Sequence, residues 1–371
     1  MAHEDGLSMK CSLDAGFPAQ LLTWYDGHHR PLPWRDTSDP YCIWLSEVML
    51  QQTQVETVIP YYHRWLARFP TIAHVAQASD TEVLKLWEGL GYYRRALQFH
   101  QACQQIHNQL GGQLPADPSD FRRLPGVGPY TFAAVRSICF GDRLPAVDGN
   151  VKRVVARVLK CSETGQTLAR AVEQALGPVM PGERPGDFNQ AIMDLGATIC
   201  TPRQPQCGIC PVAMQCQAHI HGQVADYPVR IGRKPIPHVP VAVGVVWRGD
   251  QLLISRRPLD GLLGGLWELP GGKIKAGETP GEAVRREVEE EVGLKVKVGP
   301  IVGTIRHSYT HFSITMYACH CTYIDGTPRP IGCTDLKWIS WDQLDQFPFP
   351  RANRKLFPLI DRYRRPLEST G

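Results

Sequence analysis

The sequence lacks several features that would define other classes of protein. No apolar run in its 371 residues approaches the roughly 18 residues that a membrane-spanning helix requires. Residues 1–16 are polar and have no hydrophobic segment, so we expect a flexible extension and neither a signal peptide nor an anchor. The chain also has no internal repeat and no low-complexity tract. These absences predict a globular protein with no membrane partner.

The spacing of the cysteines and the net charge further restrict the class of protein. The spacing of the 12 cysteines is not typical of a disulfide framework. This favours a reducing, cytoplasmic environment, and a location on the nucleoid if the source is bacterial. The formal net charge is only +4, which permits nucleic acid as a partner without requiring it. A chain of this length predicts two or three domains, and a monomer is the default expectation.

The pattern of apolar residues divides the chain into two parts of different character. Residues 17–225 are predicted to be helical, with apolar residues at helical spacing in segments 43–66, 83–106, 130–138, 151–158 and 188–199. Residues 226–239 are rich in proline and predict a linker. Residues 240–371 predict a smaller unit with strands at 241–247, 252–255 and 314–323 and a helix at 280–292. The fold class is therefore α+β.

Four cysteines near the end of the helical part have a compact spacing. Cys200, Cys207, Cys210 and Cys216 form the pattern C-x6-C-x2-C-x5-C, which is sized to bind one [4Fe-4S] cluster. A structural zinc site is the alternative, but zinc sites show two C-x2-C pairs or add histidines. Only Cys207 and Cys210 form such a pair here, so the spacing favours an iron–sulfur cofactor.

A glycine-rich turn precedes the helix that begins near Pro129. Residues 124–129 read Leu-Pro-Gly-Val-Gly-Pro, and the backbone N–H groups around Gly126, Val127 and Gly128 predict a phosphate-binding nest at a helix start. This pattern is typical of a helix-hairpin-helix element that binds DNA. An ordinary tight turn between two helices is the alternative.

These motifs together resemble a known family. The hairpin, an aspartate (Asp148) 18 residues after Tyr130, and the cysteine loop resemble the endonuclease III superfamily of base-excision glycosylases. Within that superfamily, residues 44–55, 89–93 and 147–151 look like the adenine DNA glycosylases of the MutY type. The resemblance implies an all-helical glycosylase domain that acts on adenine in double-stranded DNA mispaired with 8-oxoguanine or guanine. The order of preference among A:8-oxoguanine, A:G and A:C stays open.

The resemblance also implies catalytic roles. Glu47, in an apolar helical segment, would be the general acid that protonates adenine N7, and burial would raise its pKa. Asp148 would stabilise the oxocarbenium-like transition state, although an aspartate before Gly149 is also a common helix N-cap. Bifunctional relatives carry lysine at the position of Tyr130, so tyrosine predicts a monofunctional enzyme that uses water. Tyr130 and Asn150 would position Asp148 or the nucleophile.

Other residues match substrate-contact positions of the same family. Gln52 and Tyr92 match wedge positions, where side chains fill the space left by a flipped base. The remaining matches, which line the adenine pocket or follow the wedge glutamine, are Trp34, Arg35, Leu50, Gln190 and Thr53.

The C-terminal part contains a complete Nudix box, G-x5-E-x7-R-E-U-x-E-E-x-G-U, from Gly272 to Leu294. Thr279, Glu282 and Gly293 predict the two ends of its helix. The carboxylates of Glu287, Glu290 and Glu291 share one helix face and predict a Mg²⁺ site beside a pyrophosphate.

Two interpretations of this part remain open. It resembles the MutT-type domain that recognises 8-oxoguanine in DNA, with Tyr309, Thr310 and His311 where the family carries Phe-Ser-His. The intact box also allows a second active site for 8-oxo-dGTP, with Asn353 reading the base. For the whole chain, a catalytically idle mismatch sensor and an endonuclease III-type glycosylase/lyase are alternatives, and the acid pair and Tyr130 argue against them.

Overall fold

The structure is a computed structural model that describes residues 12–230, 232 and 235–364. Most of the extension predicted for residues 1–16, and three residues of the predicted linker, lie outside the described residues. Contacts between Cα atoms divide the chain into two compact units. The first contains Met1–Leu66, Pro70–Ala73 and Ala102–Arg233, and the second contains Ala67–Phe69, His74–Gln101 and Lys234–Gly371.

The described part of residues 12–230 is built from α-helices and short 3-10 turns, as predicted. No helix among the described residues has the length and apolarity to cross a membrane. The α-helices are α1 (Phe17–His28), α2 (Pro40–Leu50), α3 (Val55–Arg68), α4 (Ile72–Gln77), α5 (Asp80–Trp87), α6 (Arg94–Gln109), α7 (Pro118–Arg123), α8 (Pro129–Phe140), α9 (Gly149–Leu159), α10 (Gly165–Leu176), α11 (Pro185–Thr198) and α12 (Gln217–Ile220).

Two long periodic segments of the sequence are each broken into two helices. Segment 43–66 is interrupted after α2, where Gln52 has a φ of 58°. Segment 83–106 is interrupted after α5, where Tyr92 has a φ of 48°. A non-glycine residue with positive φ is uncommon and costs conformational energy. The apolar spacing continues across both turns, so periodicity alone does not reveal them.

Helix α11 approaches its neighbours closely because it carries two glycines. A Cβ atom on Gly186 would lie 2.6 Å from the Cα of Ile138 in α8. A Cβ atom on Gly196 would lie 2.6 Å from the Cβ of Asn150 in α9. The absence of these side chains lets α11 contact both helices, and their N-terminal ends supply Tyr130 and Asp148 to the cleft described below.

The C-terminal part of the second unit is a mixed seven-stranded sheet with helices on both faces. The central strands β1 and β6 are parallel, with Val241 opposite Met316. The other pairs are antiparallel: β5 with β6, β1 with β2 and β4, and β2 with β3 and β7. The strands are β1 (His238–Arg248), β2 (Gln251–Arg256), β3 (Trp267–Glu268), β4 (Gly271–Lys273), β5 (Lys295–Ser308), β6 (Ser313–Asp325) and β7 (Asp335–Ser340).

Alternating residues of β1 supply the two cores on either side of this sheet. Val243 and Val245 pack in the core that contains helix α14 (Arg351–Arg364). Ala242 and Val246 pack in the core that contains helix α13 (Pro280–Val292). Both helices are amphipathic, so the sheet is covered on each face. The predicted strands and the predicted helix at 280–292 are confirmed, and the fold class is α+β.

Candidate active site

An open cleft of about 960 Å³ lies in the first unit, a size typical of small-molecule sites. Its lining includes most of the residues of the helical part that the sequence analysis predicted to be catalytic or substrate-binding. Val127 is not among the lining residues, and Tyr92 belongs to the second unit. The predicted residues that line the cleft are Trp34, Arg35, Glu47, Leu50, Gln52, Thr53, Gly126, Gly128, Tyr130, Asp148, Asn150 and Gln190.

Glu47 reaches the cleft from helix α2. That helix begins at Pro40, and the Asp39 carboxylate caps it by accepting a hydrogen bond from the N–H of Tyr41. Most of α2 is buried, and Glu47 itself is only 6% exposed. Its Oε2 accepts a hydrogen bond of 2.7 Å from the hydroxyl of Tyr130. Burial raises the pKa of Glu47 to about 7, although the Tyr130 hydrogen bond opposes the shift.

Asp148 is the N-cap of helix α9 and also lines the cleft. Its Oδ1 accepts a hydrogen bond of 2.7 Å from the N–H of Val151, and its Oδ2 accepts one of 3.0 Å from the side chain of Asn150. Burial raises the pKa of Asp148, while these donors and the charge of Arg153 oppose the rise. The capping role and a place in the cleft therefore coexist in one side chain.

The hairpin before α8 is a tight turn, in which the N–H of Gly128 donates to the carbonyl of Gly126 at 3.2 Å. Gly126 has a φ of 77°, a conformation that glycine adopts without strain, and the N–H of Val127 donates to the carbonyl of Leu124 at 3.2 Å. Gly126 and Gly128 are exposed, and α8 begins at Pro129 with no side-chain cap. Its first N–H groups are thus available to an anion.

Asp194 is a buried carboxylate that the sequence analysis missed. It is 0% exposed and accepts hydrogen bonds from Arg35 at 2.6 and 2.9 Å and from the side chain of Arg30 at 2.7 Å. Burial pushes the pKa of Asp194 upward, but the hydrogen bonds and charge of Arg35 outweigh it and lower the pKa. Asp194 therefore fixes Arg35 at the cleft wall. No motif marks it, because its arginine partners are distant in sequence.

Arg153 is a second missed residue, and it links the cleft to the cysteine loop. Its guanidinium donates to Oδ1 of Asn150 at 2.8 Å, to the carbonyl of Gly196 at 2.6 Å and to the carbonyl of Cys200 at 2.8 Å. Asn150 in turn holds Asp148. One arginine therefore bridges the partner of the cleft aspartate and the first cysteine of the loop.

The four cysteines of the spacing motif line one small cavity together. Arg157 donates a hydrogen bond of 3.2 Å to the Sγ of Cys200. Burial raises the pKa of Cys207 and Cys216, and raises that of Cys210 to about 11. Four thiols around one cavity, with a cation beside them, fit a group that carries negative charge on its sulfur ligands.

In the second unit, the loop at 309–311 joins β5 to β6. The N–H of Tyr309 donates to the carbonyl of Phe312 at 2.8 Å, and the two rings stack with centroids 4.7 Å apart. Thr310 and His311 are exposed at the tip. The hydroxyl of Thr310 is 2.7 Å from that of Tyr92, within hydrogen-bonding distance.

The acidic face of α13 is occupied by contacts within the protein. The predicted capping box of Thr279 and Glu282 is present, and Gly293 ends the helix in the left-handed conformation, so these predictions are confirmed. Arg286 binds Glu287 at 2.7 Å and Glu290 at 3.1 Å, whereas Glu291 accepts from the N–H of Gly271 at 3.0 Å. Asn353 is buried, and its Oδ1 accepts from the N–H of Leu269 at 3.2 Å.

In the described part of the chain, a site for a single metal ion would need at least three neighbouring ligand side chains. No three His, Cys, Asp or Glu side chains there are grouped to hold one ion.

Comparison with protein-family models matches both parts of the chain. Residues 45–180 match the HhH-GPD superfamily of base excision DNA repair proteins. Residues 242–359 match the NUDIX domain. Among solved structures, a thermostable thymine-DNA glycosylase superposes with a TM-score of 0.52 at 30% identity, covering 55% of this chain and 95% of that one.

Curated relatives match over nearly the full length. An adenine DNA glycosylase of Rattus norvegicus is 33% identical over 94% of this chain and 78% of its own length. The adenine DNA glycosylase of Homo sapiens is 33% identical over 92% of this chain and 73% of its own length. With both parts of the architecture matched and relatives 33% identical over more than nine tenths of the sequence, the chain belongs to the family of the adenine DNA glycosylases.

Proposed function

We propose that this protein removes adenine from double-stranded DNA by hydrolysing the N-glycosidic bond, at adenines mispaired with 8-oxoguanine or guanine. The observation that carries the proposal is the pair of carboxylates, Glu47 and Asp148, which line one cleft in different environments. Glycoside hydrolysis requires one group that is protonated and one that is ionised. Kinship to adenine DNA glycosylases over 94% of the chain supports adenine as the base.

Glu47 is proposed as the general acid. Its pKa of about 7 keeps a proton on a substantial fraction of molecules at neutral pH. Protonation of adenine N7 allows the base to leave as a neutral molecule. Tyr130 donates to Oε2, which leaves the other carboxyl oxygen to carry the proton towards the substrate.

Asp148 is proposed as the ionised partner. It accepts two hydrogen bonds, from Val151 and Asn150, and Arg153 adds positive charge nearby. These contacts favour the carboxylate form, and a carboxylate stabilises the positive charge that develops on the sugar. Tyr130 has no amine to form a Schiff base, so the proposed enzyme uses water and leaves the strand intact.

The target base must leave the helix before Glu47 can reach it. We propose Gln52 and Tyr92 as the side chains that occupy the space left in the duplex. Both residues are held at positive φ, and such strain is concentrated at functional sites. Trp34, Arg35, Leu50 and Gln190 line the cleft that would receive adenine, with Thr53 beside the wedge glutamine. The hairpin at 126–128 would bind a backbone phosphate.

A [4Fe-4S] cluster is proposed as the cofactor of Cys200, Cys207, Cys210 and Cys216, which line one cavity. The cluster would hold the loop in shape, and through Arg153 the loop adjoins Asn150. Iron and sulfide analysis of purified protein tests this directly: about four of each per chain is expected for one cluster. One tightly bound zinc per chain would refute it.

Recognition of 8-oxoguanine is proposed for Tyr309, Thr310 and His311, within a domain spanning 240–371 and joined to the glycosylase domain (17–225) by residues 226–239. Thr310 keeps the hydroxyl of the family's serine. Hydrolysis of 8-oxo-dGTP at Glu287, Glu290 and Glu291, with Mg²⁺, is not favoured by the contacts.

The decisive experiment offers the protein duplexes with A:8-oxoguanine, A:G, A:C, A:T and an oxidised pyrimidine. The expected result is release of free adenine from the first two, with strand breaks only after alkali. Release of the oxidised pyrimidine with adenine left in place would overturn the proposal. Abundant strand cleavage without alkali would overturn the monofunctional assignment.

A further inference from the structure

An ion pair at the end of α5 has no role in the proposed chemistry. Glu88, the residue after α5, accepts hydrogen bonds from the Nε and Nη2 of Arg354 in α14 at 2.6 and 3.2 Å. It also accepts from the N–H of Phe349 at 2.9 Å and from the Nζ of Lys85 at 2.7 Å. All four residues belong to the second unit. A carboxylate with three separate donors is held in one position.

The arginine of this pair is also fixed in place. Its guanidinium donates to the carbonyl of Phe347 at 2.9 Å and lies over the rings of Phe349 and Phe357, 5.3 and 5.7 Å from their centroids. The side chains of Arg354 and Glu88 are 24% and 16% exposed. Burial opposes ionisation of Glu88, but the hydrogen bonds from Arg354, Lys85 and Phe349 outweigh it and lower its pKa. The pair is therefore partly buried and fixed by several hydrogen bonds, unlike an ion pair on an exposed surface.

The segment that contains Glu88, residues 74–101, makes further contacts within the second unit. A Cβ atom on Gly265 would lie 2.9 Å from the side chain of Leu84 and 3.8 Å from that of Leu97. Arg256 lies 3.8 Å from the carboxylate of Asp80. Residues 74–101 are therefore attached to the sheet part of the second unit by polar and apolar contacts.

The turn that follows Glu88 transmits this attachment to Tyr92. The indole N–H of Trp87 donates to the carbonyl of Gly91 at 3.0 Å, and the N–H of Gly89 donates to the hydroxyl of Tyr93 at 3.0 Å. These bonds close a compact turn in which Tyr92 has positive φ. The two hydrogen bonds tie the residues on either side of Tyr92 to the end of α5, where Glu88 lies.

We infer that the Glu88–Arg354 pair is a positioning device that holds the hydroxyl of Tyr92 against Thr310 and thereby sets the preference for adenine opposite 8-oxoguanine over adenine opposite guanine. The inference rests on the proposed roles of Tyr92 as a wedge and Thr310 as part of the lesion-reading loop. Neither Glu88 nor Arg354 need touch DNA for this role. They act through the turn that carries Tyr92.

The test compares Arg354→Met, Arg354→Lys and Asp345→Asn in the full-length protein. Asp345 is the matched control, because it pairs with the same guanidinium at 2.7 Å but is 91% exposed. Single-turnover adenine release is measured on A:8-oxoguanine and A:G duplexes. Arg354→Met is expected to lower the ratio of the two rates about tenfold, as a small misplacement does. Arg354→Lys should recover part of the ratio, and Asp345→Asn should leave it unchanged.

Amide hydrogen exchange of the DNA-free protein provides a readout that does not depend on the proposed activity. Exchange in residues 88–93 should be faster in Arg354→Met and unchanged in Asp345→Asn. Unchanged exchange together with an unchanged rate ratio would overturn the inference, as would an equal loss of both rates. If Arg354→Met does not fold, Glu88→Gln removes the charge and keeps the side-chain size.

Different results would refute the proposed lesion recognition and the inferred positioning role of the ion pair. A wild-type protein that excises adenine equally from both duplexes would refute the proposed lesion recognition. Faster exchange in Arg354→Met would in that case still support the positioning of Tyr92 by the ion pair. A wild type that prefers 8-oxoguanine, with no loss of preference in any variant of the pair, would refute the positioning role alone.

Discussion

Carboxylates cluster in two regions of this protein, and their surroundings differ. In the cleft of the first unit, Glu47 is buried and burial dominates, so that its pKa rises to about 7. On helix α13, Glu287 and Glu290 are drawn to Arg286, which also binds Glu278 at 2.7 Å. The comparison shows that burial raises the pKa of Glu47 towards neutral pH, whereas Glu287 and Glu290 on α13 are held in ion pairs with one arginine.

The largest expected effect comes from removing the buried acid. Glu47→Gln keeps the size of the side chain but cannot donate the carboxyl proton, so single-turnover adenine release should fall by about 10³-fold. Asp148→Asn should cause a loss of the same order. Duplex affinity, measured by fluorescence anisotropy, should change little. Normal adenine release by either variant would refute the acid–base assignment.

A smaller but still substantial loss is expected from Gly196→Ala. The added methyl group would lie 2.6 Å from the Cβ of Asn150, which must move and release Oδ2 of Asp148. We expect a loss of about 1–3 kcal/mol in the free energy of unfolding, typical of overpacking, and slower adenine release. Gly27→Ala, in helix α1, where a Cβ atom meets nothing within 4 Å, is the matched control. Denaturant melts and rate measurements on both variants distinguish a local effect from a general one.

The hydroxyl of Tyr130 should tune the pH dependence. It donates to Glu47 and so lowers the pKa of that carboxyl against the effect of burial. A general acid works in its protonated form, so the wild-type rate should fall as the pH rises through about 7. Tyr130→Phe removes the donor, raises the pKa of Glu47 further and should move this decline to higher pH. A decline that stays in place or moves to lower pH would contradict the assigned contact.

The smallest effect on adenine release is expected from changes in helix α13. The change is again from a carboxylate to an amide, as in Glu47→Gln. Glu290→Gln/Glu291→Gln should alter adenine release from A:G less than about twofold, because neither residue lines the cleft. Neither this variant nor the wild type should hydrolyse 8-oxo-dGTP with Mg²⁺. Hydrolysis by the wild type alone, followed as pyrophosphate release, would establish a second active site and revive the alternative interpretation.

The sequence predicted those features that depend on local spacing. The ends of α13, the sheet-forming segments and the hairpin at Gly126 all follow from short-range rules of capping, alternation and turns. Two breaks were not predictable from periodicity, at Gln52 and Tyr92, because apolar spacing continues through them. Both breaks coincide with residues proposed to enter DNA, where local preference is expected to yield to function.

Hydrogen-bond partners that are distant in the chain were also not predictable from the sequence. Asp194 and Arg30 are separated by 164 residues, and no spacing rule connects them. The same holds for Arg153, whose bridge from Asn150 to Cys200 exists only after α9 and α11 pack together. Motifs identify the groups that react with substrate, but the groups that orient them depend on the packed fold.

Residues 74–101 carry a consequence for how such proteins can be cut and recombined. They lie within the stretch matched by the repair-family model, at 45–180, yet by contacts they belong with the sheet that follows residue 234. A truncation at the proline-rich segment would therefore strip Leu84 of the backbone of Gly265 and leave Glu88 without its guanidinium. Gene fusions and chimaeras that are to keep these contacts must therefore carry α5 and the turn after it together with the C-terminal sheet.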